Sequence, residues 1–148
     1  MKTKYALKAL ALLASHTPGE PMLIADIAER EDIPKKFLEA ILAELKQHGF
    51  VRSRKGRGGG YLLMRSPDTI TLASVVRVLD GPIAPVPCLS RTAYRRCEGC
   101  KDEATCGVRL ALREAHAASV AVLEGTTLAD MVARQKSASS PAAMRYSI

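Results

Sequence analysis

From Thr3 to about Ser15 the apolar residues Tyr5, Ala6, Ala9, Leu10, Leu12 and Leu13 recur at helical spacing, with no glycine or proline between them. Such a period predicts an amphipathic helix, and Pro18-Gly19 ends it. A shorter helix is expected from about Leu23 to Arg30, with Leu23, Ile24, Ile27 and Ala28 inward. Pro34 then suits the first turn of the next helix, where no intrahelical partner awaits its missing N–H. That third helix, about Lys35 to His48, carries the plainest stripe, Leu38, Ile41, Leu42 and Leu45 at i, i+3, i+4 and i+7. Lys35, Lys36, Glu39, Ala40, Ala43, Lys46 and Gln47 are left for its other surface, and Gly49 supplies a left-handed stop. Two helices joined by a tight turn describe a helix-turn-helix.

After Gly49 the pattern shortens. Phe50 to Arg54 and Tyr61 to Arg65 read as two strands joined by Lys55-Gly56-Arg57-Gly58-Gly59-Gly60, a hairpin with a basic, glycine-rich tip. A hairpin directly after a helix-turn-helix is a wing. The loop lacks the GxxxxGK[ST] spacing of a nucleotide-binding loop. Beyond Ser66-Pro67 a helix is predicted from Thr71-Leu72 to about Asp80, with Leu72, Val75, Val76 and Leu79 inward, closed by Gly81-Pro82. Residues 82–106 show no regular period, and a loop of that length in a small domain is usually functional or disordered.

The longest helix is expected from about Cys106 to Glu124. Val108, Ala111, Leu112, Ala115, Ala118 and Val122 form one stripe, and Leu110, Ala117 and Ala121 a second. Apolar coverage this wide is more than one small domain needs, so the helix is expected to pack on its own core and on a second subunit. A short helix from Thr127 to about Gln135 and a Ser- and Ala-rich mobile tail complete the chain. The expected class is mainly α with a small β-hairpin wing. Its parts are a winged helix-turn-helix over 1–66, a connecting helix over 67–81, a cysteine-rich loop over 82–106, a dimerisation helix with a short C-terminal helix over 106–135, and a tail over 136–148.

Charge sharpens this picture. The 148 residues carry +7, and the window from Lys35 to Arg65 holds eight bases against two acids, or +6. A basic stripe this concentrated points to a phosphate backbone. The chain shows no apolar run of membrane-spanning length and no secretory leader pattern, so a cytoplasmic protein without a membrane partner is expected. No catalytic triad, paired-carboxylate site or nucleotide fingerprint is apparent, and no enzyme is expected. His16, His48 and His116 read as structural or solvated.

All four cysteines, Cys88, Cys97, Cys100 and Cys106, fall in the loop. In a reducing compartment such a cluster points to a metal, a cluster or a redox site. By donor type the set suits an iron–sulfur cluster, a tetrahedral structural zinc or a reversible disulfide without metal. A small iron–sulfur electron carrier is a further reading, but it leaves the wing without a use.

Arg57-Gly58-Gly59-Gly60-Tyr61-Leu62-Leu63, the later Ile70-Thr71-Leu72 leading to Val75-Val76, and clustered cysteines ahead of a long helix together resemble the Rrf-two (IscR/NsrR/RirA-type) family of winged helix-turn-helix transcription regulators. The resemblance runs from about Thr3 to Ala133. It implies a homodimer whose long helices cross at the two-fold axis, bound to palindromic double-stranded promoter DNA, mostly as a repressor. It further implies a 2Fe–2S or 4Fe–4S cluster held by three cysteines and a variable fourth ligand. Lys35, Lys36, Glu39 and Ala40 would enter the major groove, with Glu39 at the family's base-reading position. Arg54, Lys55, Arg57 and Gly58 would form the DNA-contacting wing, although relatives often have arginine where Lys55 stands, and Tyr5 would touch a phosphate or pack in the core. Cys88, Cys100 and Cys106 match the three ligand cysteines; Cys97 has no counterpart. The histidine that some relatives use beyond the last cysteine is Arg109 here. The acidic ligand that others take from the partner's first helix falls near Lys4. Cys97 is therefore expected to complete an all-cysteine set; if it is not a ligand, a labile cluster with an open or exogenous fourth site is expected instead.

Overall fold

The structure is a computed structural model that describes residues 1–141. Six helices and one hairpin follow in the order α1 (Lys2–Ser15), α2 (Ile24–Glu31), α3 (Lys35–Gln47), β1 (Val51–Arg54), β2 (Gly60–Leu63), α4 (Leu72–Leu79), α5 (Gly107–Gly125) and α6 (Leu128–Ala138). The fold is mainly helical with one antiparallel hairpin, as expected.

Each early element is fastened by local chemistry. The α3 stripe Leu38, Ile41, Leu42 and Leu45 is buried. The helix then stops in a Schellman motif. Gly49 takes φ +75, its N–H donates to Lys46 O at 3.1 Å, and the Phe50 N–H donates to Leu45 O at 2.9 Å. The hairpin pairs Val51 with Leu63 and Arg54 with Gly60. A third extended rung joins it, because Met22 and Tyr61 exchange both backbone hydrogen bonds at 2.8 Å. A Cβ on Gly60 would lie 2.3 Å from Met22 O, so only glycine lets the two backbones come this close.

Four details depart from the expectation. Pro34 is the cap residue before α3, not in its first turn, and Leu23 caps α2 from outside with its side chain exposed. Both lie at helix starts, where periodicity carries least information. Within the otherwise irregular loop, Pro87–Leu89 forms a 3-10 turn. Finally, α6 runs on to Ala138, so the first residues of the expected tail are helical; the part of that tail over 142–148 lies outside the described residues.

One hydrophobic core joins α1, α2, α3, β1, α4 and α6 around Leu10, Ile27, Leu38, Leu42, Leu45, Phe50 and Leu128. The return of α6 is set by a backbone bridge. Leu72 N–H donates to Thr126 O at 2.9 Å, and Leu128 N–H donates to Ile70 O at 2.8 Å. A Thr127–Asp130 capping box starts the helix there, and Leu128 and Val132 are buried in the shared core.

Helix α5, about 28 Å long at 1.5 Å per residue, lies against α4 and the turn at Pro87–Leu89. Its buried residues are His116 and Val120, with Arg109, Leu112 and Leu123 half-buried along the same line. His116 is a structural histidine, its Nε2 paired with Ile83 O at 2.8 Å. Val108, Ala111, Ala115, Ala118 and Val122 form a separate, uncovered face. Among the described residues, no helix is long and apolar enough to cross a membrane.

Candidate functional site

All eight bases between Lys35 and Arg65 are exposed. Two have structural duties. Arg65 donates from Nε to Gly49 O at 3.0 Å and from Nη2 to His48 O at 3.2 Å, while its guanidinium lies 4.2 Å from the centre of the Phe50 ring. It thus caps the carbonyl end of α3 and ties it to the hairpin. Lys46 Nζ donates to Ser53 Oγ at 2.6 Å, a second tie between α3 and β1. Among the described residues, no side-chain hydrogen bond or ion pair engages Lys35, Lys36, Arg52, Arg54, Lys55 or Arg57. Of the two acids in the window, Glu44 pairs with Lys2 and Glu39 stands exposed on α3.

The expected reading residues Lys35, Lys36, Glu39 and Ala40 occupy the first turns of α3 and all face solvent. Arg54, Lys55, Arg57 and Gly58 are exposed at the hairpin tip. The tip is shaped by glycine: Gly56 and Gly58 adopt φ +90 and +73. Gly59 is buried where a Cβ would lie 2.3 Å from Arg54 O. Tyr5 is half-buried against the core. Phe37, which the helical pattern places on neither face of α3, is one of the most exposed large apolar side chains of the described residues.

The four cysteines, spread along the loop in sequence, line one cavity of ≈ 450 Å³ together with Val86, Arg109 and neighbouring loop residues. All four are free thiols. Local turns aim them there. The turn at Pro87–Leu89 buries Cys88. In Cys97-Glu98-Gly99-Cys100 the Cys100 N–H donates to Cys97 O at 3.2 Å, with Gly99 at φ +69, so two cysteines sit across one tight turn. Arg96 Nη2 clamps the segment that follows by donating to Cys100 O and Lys101 O at 3.2 and 3.1 Å. Asp102 accepts from Ala104 N–H and Thr105 Oγ1 at 3.1 and 2.9 Å, which bends the chain into Cys106, the residue preceding α5. The same two bonds hold the Asp102 carboxyl below the usual carboxylate range.

Burial pushes the Cys88 thiol up, the neighbouring Cys97 adds to the rise, and Arg109 opposes both. Arg109 carries a second mark: its Nε is buried without a hydrogen-bond partner. Among the described residues, no three His, Cys, Asp or Glu side chains are gathered at the spacing of a single-ion site. Even so, four thiols around one cavity fit a sulfur-ligated group, with Lys101 and Arg109 sharing the lining with Glu98, Asp102 and Glu103.

The loop is wired to the rest of the chain. Glu124, at the end of α5, accepts from Arg77 of α4 at 2.7 Å and from Arg91 of the loop at 3.4 Å. Arg77, with Arg91 adding to its effect, holds this carboxyl below its ordinary range. Local sequence offers no sign of this link, since its members are 33 and 47 positions apart.

A family model described as "Rrf2: Iron-dependent Transcriptional regulator" matches residues 1–134. The chain is 44% identical over 145 residues to a putative rrf2-like HTH-type transcriptional regulator of Rhodobacter capsulatus, covering 96% of this chain and 94% of that one. It is 36% identical over 130 residues to the HTH-type transcriptional regulator NsrR of Bacillus subtilis, covering 88% and 86%. Among solved structures, that of CymR, the global cysteine regulator of B. subtilis, superposes with a TM-score of 0.75 at 30% identity, covering 90% of this chain and 95% of that one. A mainly helical fold with a hairpin, an exposed basic face and these likenesses lead to one conclusion: the chain is a DNA-binding transcriptional regulator, not an enzyme, and belongs to the Rrf2 family.

Proposed function

We propose that the chain works as a homodimeric repressor of promoter DNA whose affinity is set by an iron–sulfur cluster held by Cys88, Cys97, Cys100 and Cys106. One observation carries the reading: all four thiols line a single cavity that Arg109 shares with its Nε unpaired. When bound, a cluster would supply a centre sensitive to iron, redox state or nitric oxide. The basic loop side chains would offset the negative charge of the thiolates. Cys97 is the fourth ligand in this reading, completing a set that in many relatives is closed by other side chains.

DNA binding is assigned to α3 in the major groove, with Lys36, Glu39 and Ala40 at base edges and Lys35 at a phosphate. Lys55 and Arg57 would enter the adjacent narrow minor groove, with Arg54 and Gly58 against the backbone and Tyr5 at a phosphate. Two copies would meet through the uncovered α5 face. Val108, Ala111, Ala115, Ala118 and Val122 follow a three-four repeat, the seam of a helix pair. A two-fold axis there sets two reading heads on half-sites about 34 Å, or a multiple of it, apart.

Coupling between the loop and the heads would pass through Arg91, Glu124 and Arg77. With the thiols free, Arg91 stands against Glu124 and Glu124 against Arg77. A group bound among the cysteines would reposition the loop that carries Arg91, and through Glu124 the angle of α5 to the reading head. Couplings of this kind are typically about 1–3 kcal/mol, or roughly 5- to 150-fold in affinity.

Cys88 and Cys97, both free and on the lining of one cavity, favour a second reading, a cluster-free thiol switch; zinc would use the same four donors. Anaerobic native mass spectrometry of the purified protein, run beside DNA retention by the wild type and Cys→Ala variants, separates the three. The expected result is a dimer mass with bound iron and sulfide, lost on exposure to oxygen or nitric oxide along with a change in DNA affinity. Stoichiometric zinc, or a metal-free protein, would replace the cluster reading. Equal retention by protein with its thiols intact, blocked or deleted would end it.

A further inference from the structure

Phe37 stands 65% exposed in the first turns of α3. It belongs neither to the core nor to the half-buried side chains packed against it. Helix α3 cannot turn to hide it, because Leu38, Leu42 and Leu45 are fully buried on the inner face and hold the rotation. Ala40, also exposed, lies about 60° around the helix from Phe37, while Glu39 lies about 160° away on the opposite flank. The outer face of α3 thus presents an apolar edge of Phe37 and Ala40, a lysine at position 36 near its middle, and a carboxylate at the far edge.

A phenyl ring has neither donor nor acceptor and gains nothing from a phosphate. What the major groove offers such a side chain is the 5-methyl group of thymine. We propose that Phe37, extended by Ala40, is a specificity-determining residue that selects thymine through its 5-methyl group. Glu39, on the other flank, would take a cytosine amino group. The inference rests on the assignment of α3 as the reading helix.

The test uses duplex sites selected from a randomised pool by the full-length wild type, by Phe37→Ala and by Glu39→Gln. Phe37 lies outside the core and the side chains packed against it, so Phe37→Ala is expected to keep a melting temperature close to the wild type's. The wild type is expected to require thymine at one position of each half-site, and Phe37→Ala to accept any base there. Replacing that thymine by uracil removes only the methyl group. It is expected to weaken the wild type about fourfold per half-site, the worth of one buried methyl, and to leave Phe37→Ala unchanged. If Glu39→Gln alone alters the selected sequence and uracil costs nothing, the Phe37 inference is wrong and the reading helix stands. If neither variant alters it while binding persists, the assignment of α3 falls as well. A loss in Phe37→Ala that is equal for all sequences would mark a backbone contact and also overturn the proposal.

Discussion

Gly60 shows how one residue can govern the wing. At φ +140, with Met22 O 2.3 Å from where a Cβ would be, alanine must either push the Met22 rung away or strain the backbone. Gly60→Ala is expected to cost about 1–3 kcal/mol, measured by urea denaturation, and to weaken DNA binding by displacing Lys55 and Arg57. Glu124 works through charge. Arg77 first, and then Arg91, hold its carboxyl below the ordinary value of 4.5, so the folded chain binds that proton less readily than the unfolded one. The stability it contributes is complete above pH 4.5 and is lost as pH falls through the lowered value. Thermal unfolding across the acid range is expected to show a steeper loss for the wild type than for Glu124→Gln. An equal slope would show that the pair does no work. The Gly-rich run was legible as a wing tip, but Glu124 was not legible as a hub, since its partners come from two other segments.

At the scale of elements, α5 separates what periodicity can and cannot tell. Two apolar stripes were visible along it, but not which one faces inward. The structure turns a third line inward, through Arg109, Leu112, His116, Val120 and Leu123, along which His116 pairs with Ile83 O and Arg109 borders the cysteine cavity. The uncovered line centred on Ala115 is the surface assigned to self-association. Ala115→Glu places two like charges near the proposed axis, where juxtaposition costs several kcal/mol. Sedimentation is expected to report a monomer, with the melting transition of each subunit kept because residue 115 is exposed. A dimer of unchanged affinity would remove α5 as the interface. Helix α3 is the opposite case. Its stripe, its stop at Gly49 and its basic start were all readable, since each depends on neighbours within four residues.

For the whole molecule, charge distribution is the property that matters. A reader of duplex DNA displaces counterions in proportion to the phosphates it neutralises, so its affinity falls as salt rises. Lys55→Ala and Arg57→Ala are each expected to lower the slope of log K against log salt by about one unit. Both should weaken binding most at sites whose minor groove is narrow, measured by fluorescence anisotropy from 50 to 200 mM salt, about the range over which such slopes are read. An unchanged slope would place the wing off the duplex. Arg65→Ala is different in kind, since its guanidinium is occupied with the end of α3.

The sequence by itself determined the helical stripes, the left-handed stop at Gly49, the glycine-rich hairpin, the basic window and the gathering of cysteines ahead of a long helix. These features arise from side chains a few positions apart, and their periods and spacings are visible in one dimension. Tertiary structure decided the rest: the Met22 rung beside the wing, the return of α6 to α1, the inward line of α5, the Arg91–Glu124–Arg77 link and the exposure of Phe37. Each of these depends on which distant segment arrives to cover or pair a group. That depends on how several elements share one core, which no local pattern records.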